Sequence, residues 1–198
     1  MQKPAPTDYP VIEEIAQRWS PLAFSSRPVE TERLRSLFEA ARWAASSYNE
    51  QPWRYIVAQK SDDETYQKVL ACLVEGNQAW AKYAPVLGLS VASTKFQRNQ
   101  KPNRHAFHDV GQATAHLALE ATKQGLYVHQ MAGFDADQAR STFQIPEDFE
   151  PVAGFALGYP GSISDLSEDH QKREQADRAR KPQADFVFGG DWGIAAEF

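Results

Sequence analysis

The sequence predicts one domain that combines helices with strands, a fold of the α+β class. Its 198 residues are enough to bury a sizeable core in a single domain. Several segments carry apolar residues at helical spacing, and others are short apolar runs of strand length. The apolar fraction of 42% and the charged fraction of 24% are ordinary for a globular protein. We therefore expect a single domain over residues 1–198.

Four segments are predicted to be helices from their apolar spacing and their end signals. They cover, approximately, residues 8–18, 31–45, 61–80 and 105–124. Thr31 is expected to cap the second helix, and Ser61 with Glu64 forms the pattern of a capping box at the third. Gly125 ends the fourth, whose many alanines leave a slim surface that another helix can approach closely.

Four apolar segments are predicted to be strands. They are residues 53–58, residues 86–92, a segment from 126 to a tight turn at 132–133, and residues 150–159. After that turn, Asp135 is expected to cap a further short helix. The second strand is almost continuously apolar, which indicates a central strand. The glycines of the fourth do not follow the G-x-G-x-x-G spacing, so a Rossmann fold is rejected. Residues 162–181 are predicted to be a charged surface loop with a helical part, and residues 185–188 a strand without a sequential partner.

Composition and cysteine count exclude several classes of protein. The net charge of −5 gives no argument for a nucleic-acid surface. No apolar run approaches the roughly 20 residues that span a membrane. The N-terminal residues 1–8 lack the apolar core of a signal peptide. Cys72 is the single cysteine, so it forms no internal disulfide and no multi-cysteine metal site. We expect a cytoplasmic protein without a bound metal.

A small polar loop joins the second predicted helix to the first predicted strand. Ser46, Ser47 and Asn49 offer hydroxyl and amide groups there, and Pro52 favours extended backbone just before the strand. A polar loop between a helix and a strand suits a polyhydroxyl ligand. An ordinary turn explains the same residues equally simply.

Two basic motifs are candidates for binding a phosphate. Arg18 and Ser20 lie where the first predicted helix gives way to a loop, and an arginine fork with a hydroxyl grips a phosphate well. Arg178 and Arg180 flank one residue, so in extended backbone both side chains point to one side and form a clamp with Arg18. Solvated arginines are the alternative for both motifs.

Two further polar stretches have open interpretations. The Asn77 amide, as donor and acceptor, suits the edge of a heterocyclic ring, but a Gly-Asn pair also ends helices. The loop of residues 94–104 is basic, and it is either a solvated surface loop or a lip that attracts the phosphates of a nicotinamide donor. His105 and His108 do not match the spacing of a helical zinc site.

Four segments together resemble the nitroreductase family of flavin enzymes. Residues 46–53, Ser-Ser-Tyr-Asn-Glu-Gln-Pro-Trp, are similar to the family signature SSxNxQPW. The Arg18-x-Ser20 motif, the segment ending in Gly-Phe-Asp135 and the basic pair near the C-terminus are similar to family motifs in the same order. The resemblance implies an α-β-α sandwich with a mixed, mostly antiparallel sheet. It also implies a homodimer in which the C-terminal segment reaches across to the other subunit's sheet.

The same resemblance implies a function. Family members bind FMN at the subunit interface and take electrons from NADH or NADPH, and they pass them to small acceptors such as nitroaromatics or quinones in a ping-pong cycle. The implied cofactor-binding residues are Arg18, Trp19, Ser20, Ser46, Ser47, Asn49, Asn77, Gln130, Met131, Ala132, Gly133, Arg178 and Arg180. The flavin carries the chemistry, so no side chain is assigned as acid or base.

Three positions depart from the family pattern. Leu22 and Trp80 stand where many members have basic residues near the flavin pyrimidine, and Ala132 stands where many have a glutamate. Arg54 is a candidate replacement cation by sequence proximity. These departures motivate a second hypothesis, a flavin-binding carrier or sensor without efficient turnover. A third, reductive dehalogenation, would need a lid over the flavin, for which loop 94–104 is the candidate.

Overall fold

The computed structural model describes residues 3–198. The helices of this part are α1 (Glu13–Gln17), α2 (Thr31–Arg42), α3 (Asp63–Ala71), α4 (Glu75–Ala81), α5 (Ala106–Lys123), α6 (Ala136–Phe143) and α7 (Glu168–Gln175). The strands are β1 (Trp53–Gln59), β2 (Val86–Ser93), β3 (Tyr127–Met131) and β4 (Phe149–Gly158). Short 3-10 turns cover Ser47–Asn49, Ile163–Asp165 and Gln183–Asp185.

The four strands form one sheet in the order β1-β2-β4-β3, and all three neighbouring pairs are antiparallel. β2 is buried along almost its whole length, as its continuous apolar sequence predicts. β1 and β3 are the edges of the sheet. The single chain thus accounts for the antiparallel part of the expected sheet, and a parallel pairing would need a strand from elsewhere.

Helices cover both faces of the sheet. On one face α2 and α5 pack over a cluster that includes Leu37, Leu117 and Phe155. On the other face α3, α4 and the N-terminal segment pack over a cluster that includes Tyr66 and Trp80. This layering confirms the α+β sandwich.

Three helix predictions are wrong in their ends. α1 begins at Glu13 rather than near residue 8, and Val11 and Ile15 remain about half exposed, so they form no buried stripe. α2 begins at Thr31 but ends at Arg42, and the N-cap residue is Glu30, which makes no side-chain cap. α3 is capped by Asp62, whose carboxylate accepts a 3.3 Å hydrogen bond from the Thr65 N–H, and not by Ser61.

The predicted helix over residues 61–80 is two helices. The chain between α3 and α4 bonds to the turn that follows β3, because Cys72 O accepts from Asp135 N at 2.8 Å and Val74 N donates to Gly133 O at 3.1 Å. These bonds replace helical ones and end α3. Asn77 therefore lies in the first turn of α4 and does not end a helix.

Other elements are confirmed, with one exception. α5 ends before Gly125, which has a φ of +73°. The Asp135 carboxylate caps α6 by accepting from Gln138 N at 2.9 Å. The exception is the predicted strand over residues 185–188, which is wrong for the single chain: a 3-10 turn is followed by one isolated bridge from Phe188 to Ala195. None of the described helices is long and apolar enough to cross a bilayer.

Candidate functional site

A basic cavity of about 490 Å³ lies where the N-terminal and C-terminal segments meet. Five cationic side chains and two acidic ones line it, together with Ser20 and His129. The charged residues are Lys3, Arg18, Arg173, Glu174, Asp177, Arg178 and Arg180. The structure therefore brings Arg18, Ser20, Arg178 and Arg180 together, although about 160 residues separate the two motifs. A cavity with this excess of cations suits a phosphate group.

Burial and neighbouring charges both act on the Arg18 side chain in this cavity. Its Nη1 lies 3.5 Å from Ser20 Oγ. Burial lowers the pKa of Arg18, and the positive charges of Arg178 and Arg180 lower it further. Three guanidinium groups held this close repel one another, and a bound anion would relieve the repulsion. The cavity is therefore built to receive negative charge.

The Arg178 side chain is held by hydrogen bonds to the main chain. Its guanidinium donates to three main-chain carbonyl oxygens: Lys3 O at 2.6 Å, Ala16 O at 2.8 Å and Arg18 O at 2.8 Å. These bonds tie the C-terminal segment to the N-terminal one and fix the backbone of Arg18. Among residues 3–198, Arg180 makes only a local bond, to Ala179 O at 2.7 Å, and it is exposed. Arg178 thus holds the two segments together, whereas the Arg180 guanidinium remains available to a ligand.

A buried carboxylate holds the loop that carries Arg18 and Ser20. Glu174, on α7, accepts from Leu22 N at 2.7 Å and from Ala23 N at 3.5 Å. Lys3 Nζ donates to the main-chain carbonyl oxygen of Glu174 at 2.6 Å. Burial raises the pKa of Glu174, and these backbone bonds oppose the rise. The fixed position of this loop depends on α7, which the sequence motifs do not include.

His129 is the second cavity residue that the sequence analysis missed. Its Nδ1 lies 2.8 Å from Pro21 O, and because a carbonyl only accepts, Nδ1 carries the proton. Its ring packs on Trp80 with 4.4 Å between centroids. Burial lowers the pKa of His129, the bond to Pro21 opposes this, and Arg173 and Arg18 lower it further. Strand alternation was the available signal, since His129 shares a face of β3 with Tyr127 and Met131.

Asn77 and Gly133 meet at a second point on the same side of the sheet. The Asn77 Nδ2 donates to Gly133 O at 2.9 Å. A Cβ at position 133 would lie 2.7 Å from that nitrogen and 2.9 Å from Val74 Cγ2, so a larger residue would displace the Asn77 amide or the Val74 side chain. Ala132 and Gln130 are exposed next to this turn, whereas the Met131 side chain is buried. Only the main chain of Met131 is left for a ligand.

Three aromatic or apolar residues of the predicted region belong to the core. Trp19 is 6% exposed and packs edge-on against Tyr127. Leu22 and Trp80 are buried too, and Trp80 stacks on Phe24. The side chains of Leu22 and Trp80 therefore belong to the core, and neither places a polar group at the surface. Arg54 lies on β1, near Phe149, and does not line the basic cavity.

The loop of Ser46, Ser47 and Asn49 lies apart from the basic cavity. None of its residues lines that cavity in the described part of the chain. Ser47 N donates to the buried carboxylate of Asp109 on α5 at 3.0 Å, and Ser46 Oγ accepts from Gln51 N at 3.0 Å. The loop also contacts residues 96–98. A single chain thus does not bring the two predicted halves of the site together.

Several known proteins are similar to this chain in sequence or in structure. A sequence profile of the nitroreductase family matches residues 15–159. A 15.4 kDa protein from the ask 5′ region of Mycolicibacterium smegmatis is 34% identical over 131 residues, covering 66% of this chain and 86% of the relative. The NADH dehydrogenase of Thermus thermophilus is 26% identical over 160 residues, covering 67% and 78%. The crystal structure of an oxidoreductase containing FMN is 36% identical, with a TM-score of 0.89 over 95% of this chain and 96% of that one.

Proposed function

Because the chain belongs to the nitroreductase family, we propose that it is an FMN-dependent oxidoreductase that uses NADH or NADPH. The acceptors are small molecules of the nitroaromatic or quinone type, reduced in a ping-pong cycle. The observation that carries the proposal is the convergence of Arg18, Ser20 and Arg180 on one basic cavity. The similarity to an oxidoreductase containing FMN supports the choice of cofactor.

The residues of the cavity fit the phosphate end of FMN. Burial lowers the pKa of Arg18, the nearby charges of Arg178 and Arg180 lower it further, and a phosphate dianion would supply an opposite charge. Arg18 and Arg180 would donate charge-assisted hydrogen bonds, and Ser20 a hydroxyl bond. Arg178 and Glu174 would hold the backbone between these groups and would not bind the phosphate themselves.

The turn at residues 130–133 fits the ring end of the cofactor. Gly133 has no side chain to cover its backbone, and the Asn77 amide lies beside it. Main-chain N–H groups at Ala132 and Gly133 would donate to the ring, and the exposed Gln130 would border it. When bound, the flavin supplies the hydride chemistry, and the protein supplies orientation and a polar environment.

The proposal includes a homodimer in which Ser46, Ser47 and Asn49 serve the partner's cofactor. Two observations support it. The loop is separated from the basic cavity of its own chain. The C-terminal segment also exposes large apolar side chains, with Trp192 at 92% and Phe198 at 94% exposure, which a second subunit would cover.

A carrier or sensor without efficient turnover is the second candidate. The burial of Leu22 and Trp80 favours it, because no cation stands at either position to stabilise a reduced flavin. A bound flavin that neither nicotinamide reduces would establish this candidate.

An absorbance spectrum of the purified protein tests the proposal. The expected result is flavin bands that bleach when NADH or NADPH is added without oxygen and return when a quinone is added. Bands that persist with both donors would leave the carrier. A protein that binds no FMN even when FMN is supplied would refute both candidates.

A further inference from the structure

Two exposed loops, residues 46–51 and residues 94–104, pack on each other and are called the loop pair. Glu50 accepts a 2.6 Å hydrogen bond from Gln97 N. The Tyr48 ring meets Phe96 edge-on, with 5.9 Å between centroids. The Arg98 guanidinium lies over the Tyr48 ring, 4.1 Å from its centre. These contacts fix the position of one loop relative to the other.

The loop pair has a defined and strained backbone. Within residues 3–198, five residues other than glycine have positive φ, and four of them lie in the loop pair: Tyr48, Asn49, Gln51 and Gln100. Such conformations persist only where the surroundings impose them, and they are common at ligand sites. Loop 94–104 is folded back on itself, with a bridge from Lys95 to Pro102 and a 2.9 Å bond from Phe96 N to Lys101 O. The pair is therefore an ordered surface.

This surface carries unbalanced positive charge. Residues 94–104 contain four cations and no acidic residue. Lys95 pairs with Asp148 at 2.5 Å, whereas Arg98, Lys101 and Arg104 are exposed and have no ion pair among the residues that the structure describes. A guanidinium that lies flat on an aromatic ring keeps its N–H edge free for a phosphate. On a chain of net charge −5, these three cations stand out as an anion site.

We propose that the loop pair binds the phosphates of the nicotinamide dinucleotide and selects NADPH over NADH, with Arg98 as the main contact. The inference rests on the proposed function: if residues 46–49 reach the partner's flavin, loop 94–104 stands beside the same flavin because it is fastened to them. The donor carries a pyrophosphate, and NADPH adds a 2′-phosphate dianion. Three cations with few steric demands match that chemistry. The donor leaves as NADP⁺ after giving one hydride to the flavin.

The test compares Arg98→Gln with the wild-type holoenzyme. Binding of adenosine 2′,5′-bisphosphate is measured by calorimetry, and flavin bleaching is measured without oxygen at increasing NADPH or NADH. The expected result is a dissociation constant for the bisphosphate raised about tenfold or more, and half-saturation that rises more for NADPH than for NADH. Tyr48→Leu, which removes the platform under Arg98, should shift both in the same direction by less.

A matched control is Arg35→Gln, which removes one exposed arginine on α2, away from the loop pair. Equal bisphosphate affinity in the Arg98 and Arg35 variants would overturn the inference, and so would equal losses with the two donors. FMN content distinguishes a failure of the inference from a failure of the proposed function. If Arg98→Gln keeps its FMN and both donors still bleach it with wild-type dependence, only the inference fails. If the wild-type protein holds no FMN, the proposed function fails and the inference falls with it.

Discussion

The basic cavity and the loop of residues 46–51 differ in how they are held and in what they lack. Arg178 and Glu174 join segments from opposite ends of one chain around the cavity, through five hydrogen bonds to main-chain atoms. The loop is held in strained conformations by Asp109 and by residues 96–98, and it faces no cavity that contains Arg18. The residues that line the cavity come from one chain, whereas we propose that the loop serves a ligand held by a partner subunit.

Removing Arg18 and Arg180 from the cavity should have the largest effect. Arg18→Ala with Arg180→Ala deletes two charge-assisted contacts to the FMN phosphate, each of about 1.5–3 kcal/mol. FMN affinity should therefore fall by about two to four orders of magnitude. Fluorescence titration of the apoprotein with FMN measures the change, and Arg35→Ala is the control. Unchanged affinity in the double variant would refute the phosphate assignment.

We expect Arg178 to stabilise the fold and Arg180 to bind the cofactor phosphate. Arg178→Lys loses the fork that reaches three carbonyl oxygens, so the free energy of unfolding should fall by about 1.5–3 kcal/mol. Arg180→Lys keeps an exposed cation and should change that energy by less than about 0.5 kcal/mol. Urea unfolding of the FMN-free proteins measures both. Equal stability of the two variants would contradict the distinction.

Asp109 should link the helix α5 to the loop. Asp109→Ala leaves Ser47 N without its acceptor and frees the loop, which should speed FMN release by about tenfold in the dimer, equivalent to about 1.4 kcal/mol. Release is followed by the return of flavin fluorescence on dilution. Asp137→Ala, an exposed carboxylate on α6, is the control. A variant with lower thermal stability and an unchanged release rate would show a purely structural role.

The smallest expected effect is a pH dependence of stability from His129. Burial lowers its pKa from the ordinary 6.5, so below that pH the unfolded chain binds a proton that the folded chain resists. The contribution is full above pH 6.5, and the free energy of unfolding falls as the pH drops from there towards the lowered pKa. Urea unfolding between about pH 5 and pH 7.5 should show a smaller slope for His129→Gln than for the wild type. An identical slope would contradict this account.

The sequence predicts elements better than it predicts roles. Apolar spacing identified α2, α5 and all four strands, because burial on one face leaves a periodic pattern. It missed the break between α3 and α4, which depends on bonds to the turn at Gly133, about 60 residues away. Local sequence contains no record of such a distant partner.

Sequence spacing predicts the contacts of the site residues only in part. The spacing of Arg178 and Arg180 placed both near Arg18, but it could not show that Arg178 is occupied by carbonyl oxygens 160 to 175 residues away. Glu174 belongs to no motif, and strand alternation gives the face on which His129 lies but not its contacts. The stacking of Arg98 on Tyr48 was equally hidden, since the two residues come from separate loops.

The central claim, that one site combines the cavity of one subunit with the loop of the other, is tested most directly by mixing two defective variants. One carries Arg18→Ala and Arg180→Ala, and the other carries Ser46→Ala and Asn49→Ala. In a mixed dimer of the proposed kind, one site collects both defects and the other is intact. After the subunits are exchanged at random, about one site in four should regain wild-type FMN binding. FMN retention that stays at the mean of the two parents would mean that each site lies within a single chain, and the account would be wrong.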